Sequence, residues 1–554
     1  MQHEEDMKEC VVEADEVKNL NEKDKKDNPP SIAKSTAKMS LATFFSRGSG
    51  FIRSIALAYV LGDTVLNDTF NTANYMPNII FELIMGGILG SVIIPVYVQY
   101  LAEKSEDESR YMINNLMNII VLLAIALSIF GSVFAPWLVK IMTILQPVKN
   151  TPTMVMFFRI FALEIAFYGV SAVYSGVLNS HRSFTVPMFA PVMNNLLVTF
   201  VALGVYLPLK DGNPELATIL LAIGTLLGVA VMALYQVPTA RRLGMRFQRS
   251  LDFKHPSVKQ IAKLGLPMLG FAATFQINNF LIYMLLQSTD RGTTAYVSAM
   301  QFFQLPYAIY AVSVTTAIFP ELSRYANSKD FSSFKKTLSL GLRSTSFVII
   351  PSAIYMIILA KPIIGLTLQH GAFGPAGTEI TASVLQAFAV ALLSFSLYNM
   401  LTRVYYSLQD TKTPMKIGVI SIPLQVIFNF LLIGPIGPKG LPLSYAVALT
   451  FSVVIQLYIL RKKIGSIGAS HIMRAMIKHL AAALLAGIVM YLVYYGVETM
   501  GMPRMLGQAM ELMLAAVLGA VAYLGIALLL KTEEVDFIKS ITKRVVRVKA
   551  KAVS

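Results

Sequence analysis

The sequence predicts an all-α polytopic membrane protein. It divides into 14 transmembrane helices: two six-helix halves related by a pseudo-twofold axis along the membrane normal, plus two C-terminal helices. Three observations lead there. The chain of 554 residues is 55% hydrophobic and only 14% charged, whereas about a quarter of the residues of a soluble domain are charged. Its apolar residues run in long segments separated by short basic connections. Motifs of the first half also return, in order, in the second.

Residues 1–38 are a mixed-charge stretch with few large apolar residues, expected to be a disordered cytoplasmic tail. It has no signal-peptide pattern. Cys10, the single cysteine of the chain, excludes an intrachain disulfide. A spanning helix needs about 20 apolar residues to cross about 30 Å of hydrocarbon. Segments of that kind lie at 39–62, 69–101, 112–136, 153–178, 184–206, 216–237 and 260–288. Seven more lie at 294–319, 337–365, 378–407, 414–434, 441–460, 477–496 and 507–530. The expected lobes are therefore 39–237 and 260–460, joined by a basic linker at 238–259. A cytoplasmic loop at 461–476, two extra helices within 477–530 and a basic tail at 531–554 complete the chain.

Alternate connections differ in basic residues. One set carries Lys104, Arg110, Arg182, the run from Arg241 to Lys259, Arg324 to Lys336, Lys412, Lys416 and Arg461 to Lys478. The other set holds only scattered cations such as Lys140, Lys210, Arg291 and Arg504. The positive-inside rule places the first set, and both termini, in the cytoplasm. The net charge of +16 is spread between spans rather than gathered in one patch, which fits a membrane protein and not a nucleic-acid footprint.

The repeat is carried by three pairs of segments. IPVYVQYLAEKS at 94–105 resembles FPELSRYANSKD at 319–330, VYSGVLNSHRSFTVPM at 173–188 resembles YYSLQDTKTPM at 405–415, and TARRLGMRF at 239–247 resembles LRKKIGSI at 460–467. Each offset crosses six spans, an even number, so the halves keep one orientation. Transporters of this build hold substrate between their halves and alternate access by rocking them.

Polar residues inside the spans identify the site candidates. SRGSGFIRSIALAYVLG at 46–62 places Arg47 and Arg53 in the first helix. An arginine at mid-bilayer costs about 2.5–3.5 kcal/mol on insertion scales, so each requires water, an anion or an escape to the interface. Arg47 is close enough to the cytoplasmic end to snorkel; Arg53 is near mid-depth. The second segment adds Asp68, Asn71, Asn74, Asn78 and Glu82 around Pro77, which is expected to kink it. Asp68 reads either as a helix N-cap or as a functional carboxylate, while Glu82 needs a cation or a proton. Arg159 and Glu164 share the fourth span, as possible charge partners. Gln301 and Gln304 lie in AMQFFQLP of the eighth, and Asn278 and Asn279 read as interhelical hydrogen-bonding groups. Arg343 and Arg403 are expected to snorkel from cytoplasmic helix ends.

No P-loop and no His/Cys metal spacing occurs, so nucleotide-driven transport by this chain is excluded and no cofactor is expected. A membrane glycosyl polymerase would need carboxylates on a substantial external loop, and the external loops are short. The chain therefore reads as a transporter rather than an enzyme.

These residues resemble the MurJ (MviN) lipid II flippase family of the MOP superfamily. The resemblance rests on Ser46-Arg47-Gly48-Ser49-Gly50-Phe51-Ile52-Arg53, on Asp68 and Phe70, and on Pro77-Asn78. It continues through Leu305-Pro306, Gly371-Ala372-Phe373, the run from Tyr406 to Pro414 and that from Gly440 to Ser444, spanning about 39–530. PNIIFELIMGG looks like the actinobacterial branch. The chain departs from the family at Phe81 and Glu82, and at Gln301 and Gln304, where relatives often carry arginine or glutamate.

The resemblance implies an inner-membrane flippase that moves undecaprenyl-pyrophosphate-linked disaccharide-pentapeptide to the outer leaflet, for cell-wall synthesis and in contact with membrane lipids and the cell-wall machinery. It assigns Arg47 and Arg53 to the pyrophosphate, with Asp68, Asn78, Gln301 and Gln304 as further substrate-binding candidates. Energy would come from the membrane potential, Na+ or H+. The alternatives are an exporter of another polyprenyl-linked oligosaccharide and a cation-coupled drug antiporter, which would centre its cavity on acidic residues.

Overall fold

Long apolar segments leave the backbone no partner but itself, and in hydrocarbon that condition is met by helices. The computed structural model describes residues 32–82, 94–145, 151–181, 183–243, 248 and 250–534, and among them no strand occurs. Residues 1–31, the stretch 83–93, with a Gly86-x3-Gly90 pattern that the sequence offers as a close-packing face, and the tail after 534 lie outside the described residues. Helix α1 covers Ile32–Leu61, so it starts ahead of the boundary expected at 39.

The N-terminal half continues with α2 (Val65–Glu82), α3 (Ile94–Glu103), α4 (Glu106–Val133), α5 (Ala135–Met142), α6 (Thr151–Ala162) and α7 (Glu164–Ser180). Helix α8 (Thr185–Val201) runs on through a π turn at Ala202–Tyr206, and α9 (Pro214–Arg242) closes the half. The second half holds α10 (Pro256–Leu286), α11 (Gly292–Pro306), α12 (Val312–Asn327), α13 (Phe331–Leu368), α14 (Pro375–Ser407), α15 (Lys412–Ile436) and α16 (Gly440–Ile464). Helices α17 (Ala469–Glu498) and α18 (Arg504–Leu529) follow.

Ten described stretches are long and apolar enough to cross a membrane, and one of them, Lys412–Ile464, contains both α15 and α16. Of the 14 expected segments, the first, second and seventh do not reach that standard. The side chains of all three are described only in part: what is described of α1 carries two arginines and of α2 four asparagines and an aspartate, while the described apolar stretch of α10 is Ala272–Leu286. Helix α2 runs through Pro77 without a break. Beside the missing bond, Asn78 Nδ2 donates to the Asn74 carbonyl at 2.8 Å.

The internal repeat is visible in the packing. In the first half α1 packs on α8, α8 on α9, α7 on α9, α4 on α7 and α2 on α6. The second half repeats each pair, with α10 on α15, α15 on α16, α14 on α16, α13 on α14 and α11 on α14. The caps repeat as well. Ser105 accepts from Glu108 N to start α4, and Asp330 accepts from Ser333 N to start α13. Helices α17 and α18 pack on each other and on α13.

Arg343 corrects the snorkelling expected of it. It is buried, at 9% exposure, and binds Glu533, Glu534 and His471. Acids that follow α18 in sequence fold back over it, so its charge is met inside the protein.

Candidate functional site

Gly48, Ser49 and Gly50 leave α1 with little bulk where it meets α8, and there Asn195 Nδ2 donates to Ser49 Oγ at 2.9 Å. One turn further on, Arg53 enters a cavity of 410 Å³ inside the first half. The same cavity is lined by Asn74 and Asn78 of α2, by Tyr168 and Ser175 of α7, and by Asn194 and Asn195 of α8. Arg53 Nε is buried without a hydrogen-bond partner, and no acid reaches its guanidinium within 4.0 Å among the described residues. Glu164 and Tyr168 act on it electrostatically, and the Tyr168 hydroxyl donates to Asn78 Oδ1 at 3.1 Å. A fork of five donors is thus held in a polar chamber with unused hydrogen-bonding capacity.

Arg47 is exposed, and together with Arg403 of α14 it lies within electrostatic reach of the Tyr307 hydroxyl. Arg403 donates to Thr316 Oγ1 at 3.3 Å. It is exposed and shares the neighbourhood of Tyr307 with Arg47 from the other half.

Asp68 does not cap its own helix. Its Oδ1 accepts from Thr294 N at 2.7 Å, so it caps α11 of the opposite half. Around it Asn71 Nδ2 donates to Thr294 Oγ1 at 3.4 Å and Gln287 Nε2 to Thr72 Oγ1 at 2.5 Å. Next to this, Arg291 pairs with Asp63 at 2.7 Å, while Asp63 Oδ1 accepts from Gly374 N at 3.1 Å. Backbone joins backbone where Ala372 N donates to Tyr59 O at 2.9 Å. Gly62 and Gly371 both have positive φ here, and a Cβ on either would fall 2.3 Å from Ala372 O or 2.4 Å from Tyr59 O. Glycine is required at both by conformation and by contact.

Deeper along α1, Gln301 Nε2 donates to Ser54 Oγ at 2.7 Å, and Phe51 meets Phe302 edge-on at 5.1 Å. Tyr75 stacks on Tyr283 at 3.9 Å. Among the described residues no hydrogen bond joins α1 to the second half on the N-terminal side of Ser54. The halves are closed at the Asp63 end, and toward the other end Ile261 of α10 packs in one core cluster with Val96 and Met112 of the first half.

The expected residues thus divide. Arg53, Asn78 and Glu164 come together; Asp68 belongs to the closure; Gln301 joins the halves at mid-depth. Gln304 is half-buried one turn on from Gln301. Glu82 and Arg159 are exposed, and Arg159 does not line the cavity that Glu164 adjoins. Sequence reasoning missed Asp63 and Asn67; it named Asn71, Asn74 and Asn78 without joining them to Asn67 as one stripe, whose helical spacing was the available signal. No group of three or more metal-ligating side chains occurs among the described residues.

Known proteins share this fold. The chain is 29% identical over 525 residues to the probable lipid II flippase MurJ of Bdellovibrio bacteriovorus, covering 93% of this chain and 98% of that one. A solved structure titled as lipid II flippase MurJ in an inward closed conformation superposes with a TM-score of 0.74 at 23% identity, over 88% of this chain and 97% of the other. A multidrug resistance MATE transporter of the MOP superfamily, inward-facing, shares the fold at a TM-score of 0.63 and 13% identity, over 76% and 95% of the two chains. The family model described as "Lipid II flippase MurJ" matches residues 57–507. This chain is a member of the MurJ lipid II flippase family, a polytopic membrane transporter and not an enzyme.

Proposed function

We propose that this protein flips lipid II, and that Arg53 is the residue that receives the diphosphate of its headgroup. A diphosphate cannot cross hydrocarbon with its water, and a guanidinium fork replaces that water bidentately. The observation that carries the reading is the Arg53 side chain, half-buried in a polar cavity, its Nε buried without a partner and no ion pair within 4.0 Å among the described residues. Arg47 and Arg403 add cations from the two halves around Tyr307.

The polyprenyl chain needs an apolar path. A groove of 700 Å³ between α11, α13, α17 and α18, lined by Phe302, Phe347, Tyr355, Met490 and Tyr523, supplies one. The basic connections lie toward the Arg47 end, so the reading places that end and both termini in the cytoplasm of a bacterial inner membrane. The closed end then faces outward. Substrate enters between the halves from inside and leaves when the Asp63–Arg291 and Asp68–Thr294 contacts part. The membrane potential drives the cycle, or an Na+ or H+ gradient does; a cation gains about 2.3 kcal/mol per 100 mV on entering a negative interior. The cell-wall machinery is the expected consumer.

A drug antiporter would centre its cavity on acid, and Glu164 is the one feature in its favour; Arg53 beside it answers that charge. The test is Arg53→Ala as sole copy in cells. The expected outcome is arrested growth with lipid II retained on the inner leaflet. Normal growth with normal outer-leaflet lipid II would overturn the reading.

A further inference from the structure

At its loop end the appended pair α17–α18 encloses a polar cavity of 310 Å³ against α13 and α14. Glu511 of α18 lines this cavity and is only 7% exposed. No hydrogen bond, and no ion pair within 4.0 Å, reaches its carboxylate among the described residues. One turn earlier, Gln508 lays its amide on Gly365 of α13, where a Cβ would fall 2.3 Å from Gln508 Nε2. Gln508 lines the cavity too, and its Oε1 is buried without a partner. Glu498, the last residue of α17, brings a second carboxylate, with Tyr494 one turn before it. Lys361 of α13 and Arg504 of α18 are exposed at the rim, and neither pairs with an acid within 4.0 Å among the described residues. Arg504 donates one N–H to Gln369 O at 2.8 Å, which leaves other donors of its fork for an anion.

A buried carboxylate without a cation and a buried amide oxygen without a donor are both costly. A primary ammonium answers both, because it carries positive charge and three donors. An aromatic wall such as Tyr494 suits the same group. The rim cations then require an anion close to that ammonium, so acids inside and cations outside fit a zwitterion that enters ammonium first. Met500, Met505 and Leu506, interleaved with the lining residues, are each more than half exposed. An apolar patch of that kind marks contact with a membrane.

We propose that this cavity binds the headgroup of an ethanolamine phospholipid, with the ammonium on Glu511 and Gln508 Oε1 and the phosphate on Lys361 and Arg504. The proposal is independent of the reading of Arg53. Any proton that Glu511 holds in the empty cavity leaves to water as the ammonium arrives, and no covalent bond forms or breaks. Gln369 and Pro375, which line the cavity, flank the turn in which Gly371 and Ala372 rest on Tyr59 and Gly62. A bound headgroup bridges the appended pair to that turn, so binding should also raise the melting temperature.

The test titrates the full chain in detergent with dihexanoyl phosphatidylethanolamine, by calorimetry. Dihexanoyl phosphatidylglycerol has the phosphate without the ammonium, dihexanoyl phosphatidylcholine a cation without N–H donors, and O-phosphoethanolamine the headgroup without the lipid. The ethanolamine lipid is expected to bind at least about tenfold more tightly than each of the three. Equal binding of the glycerol or choline lipid overturns the ammonium assignment, and equal binding of O-phosphoethanolamine overturns the lipid one. Glu511→Gln keeps the shape and should lose the preference for the ethanolamine over the glycerol lipid; a preference that survives it sinks the proposal. Lys361→Ala should weaken both lipids together, and unchanged binding would remove the phosphate from that rim. Should Glu511→Gln not fold, as its melting temperature would show, the wild-type lipid series decides alone.

Discussion

A guanidinium placed among apolar helices has to be met by something, and Arg53 and Arg343 are met differently. Arg53 finds a polar cavity, whereas Arg343 finds Glu533 and Glu534. The first was legible because its depth in the span rules out escape to the interface. The second was not, because its partners lie some 190 positions away along the chain and carry no local pattern. Glu534 also binds buried His479 at 3.1 Å. Burial opposes charge on Glu534, but the hydrogen bond from His479 and the field of Arg343 outweigh it and hold the carboxyl below the usual glutamate range. A carboxyl held low contributes stability that is full above its unfolded value of about 4.3 and lost as pH falls through the native value. Glu534→Gln should therefore lower the melting temperature at neutral pH, at the low end of the about 3–5 kcal/mol seen for broken buried pairs, since Glu533 remains. The difference from wild type should vanish in acid. A thermal-shift series across pH measures both.

Among the helices, the instructive case is the pairing of α2 with α11. Asp68 stands near the start of α2, where sequence logic assigns it to its own N-terminus, yet it satisfies a free N–H at the start of α11. Periodicity identifies helices but does not say which helix end a carboxylate will reach. The asparagine stripe on α2 could have been read, since spacings of four, three and four residues put Asn67, Asn71, Asn74 and Asn78 on one face. Removing the cap by Asp68→Ala should cost the closed state about 1 kcal/mol, a shift of about fivefold toward opening at that end. Labelling of Thr293→Cys by a water-soluble thiol reagent, in a Cys10→Ser background, reports it. Unchanged labelling would show that this contact does not hold the closure.

At the scale of the whole molecule, the duplication was the most legible property, because two copies of one packing scheme leave two copies of the same short motifs. The match of helix pairs and caps between the halves is its structural counterpart. The groove was not legible, since apolar side chains facing lipid and apolar side chains facing a groove look alike in sequence. In the proposed reading it separates the substrate's two ends, with the headgroup on the cations and the chain between α13 and the appended pair. Ala520→Trp, which fills the groove, should reduce flipping of lipid II severalfold while leaving binding of a short-chain diphosphate unchanged. A paired comparison of outer-leaflet lipid II and calorimetric binding tests this.

The contact of Gly62 with the Gly371–Ala372 turn has a consequence for leakage. Because main chain rests directly on main chain there, that contact cannot be opened by a side-chain rotation alone. The Asp63 end thus behaves as a bolt with two positions rather than as an iris, and solutes should be shut out until the halves separate as rigid bodies.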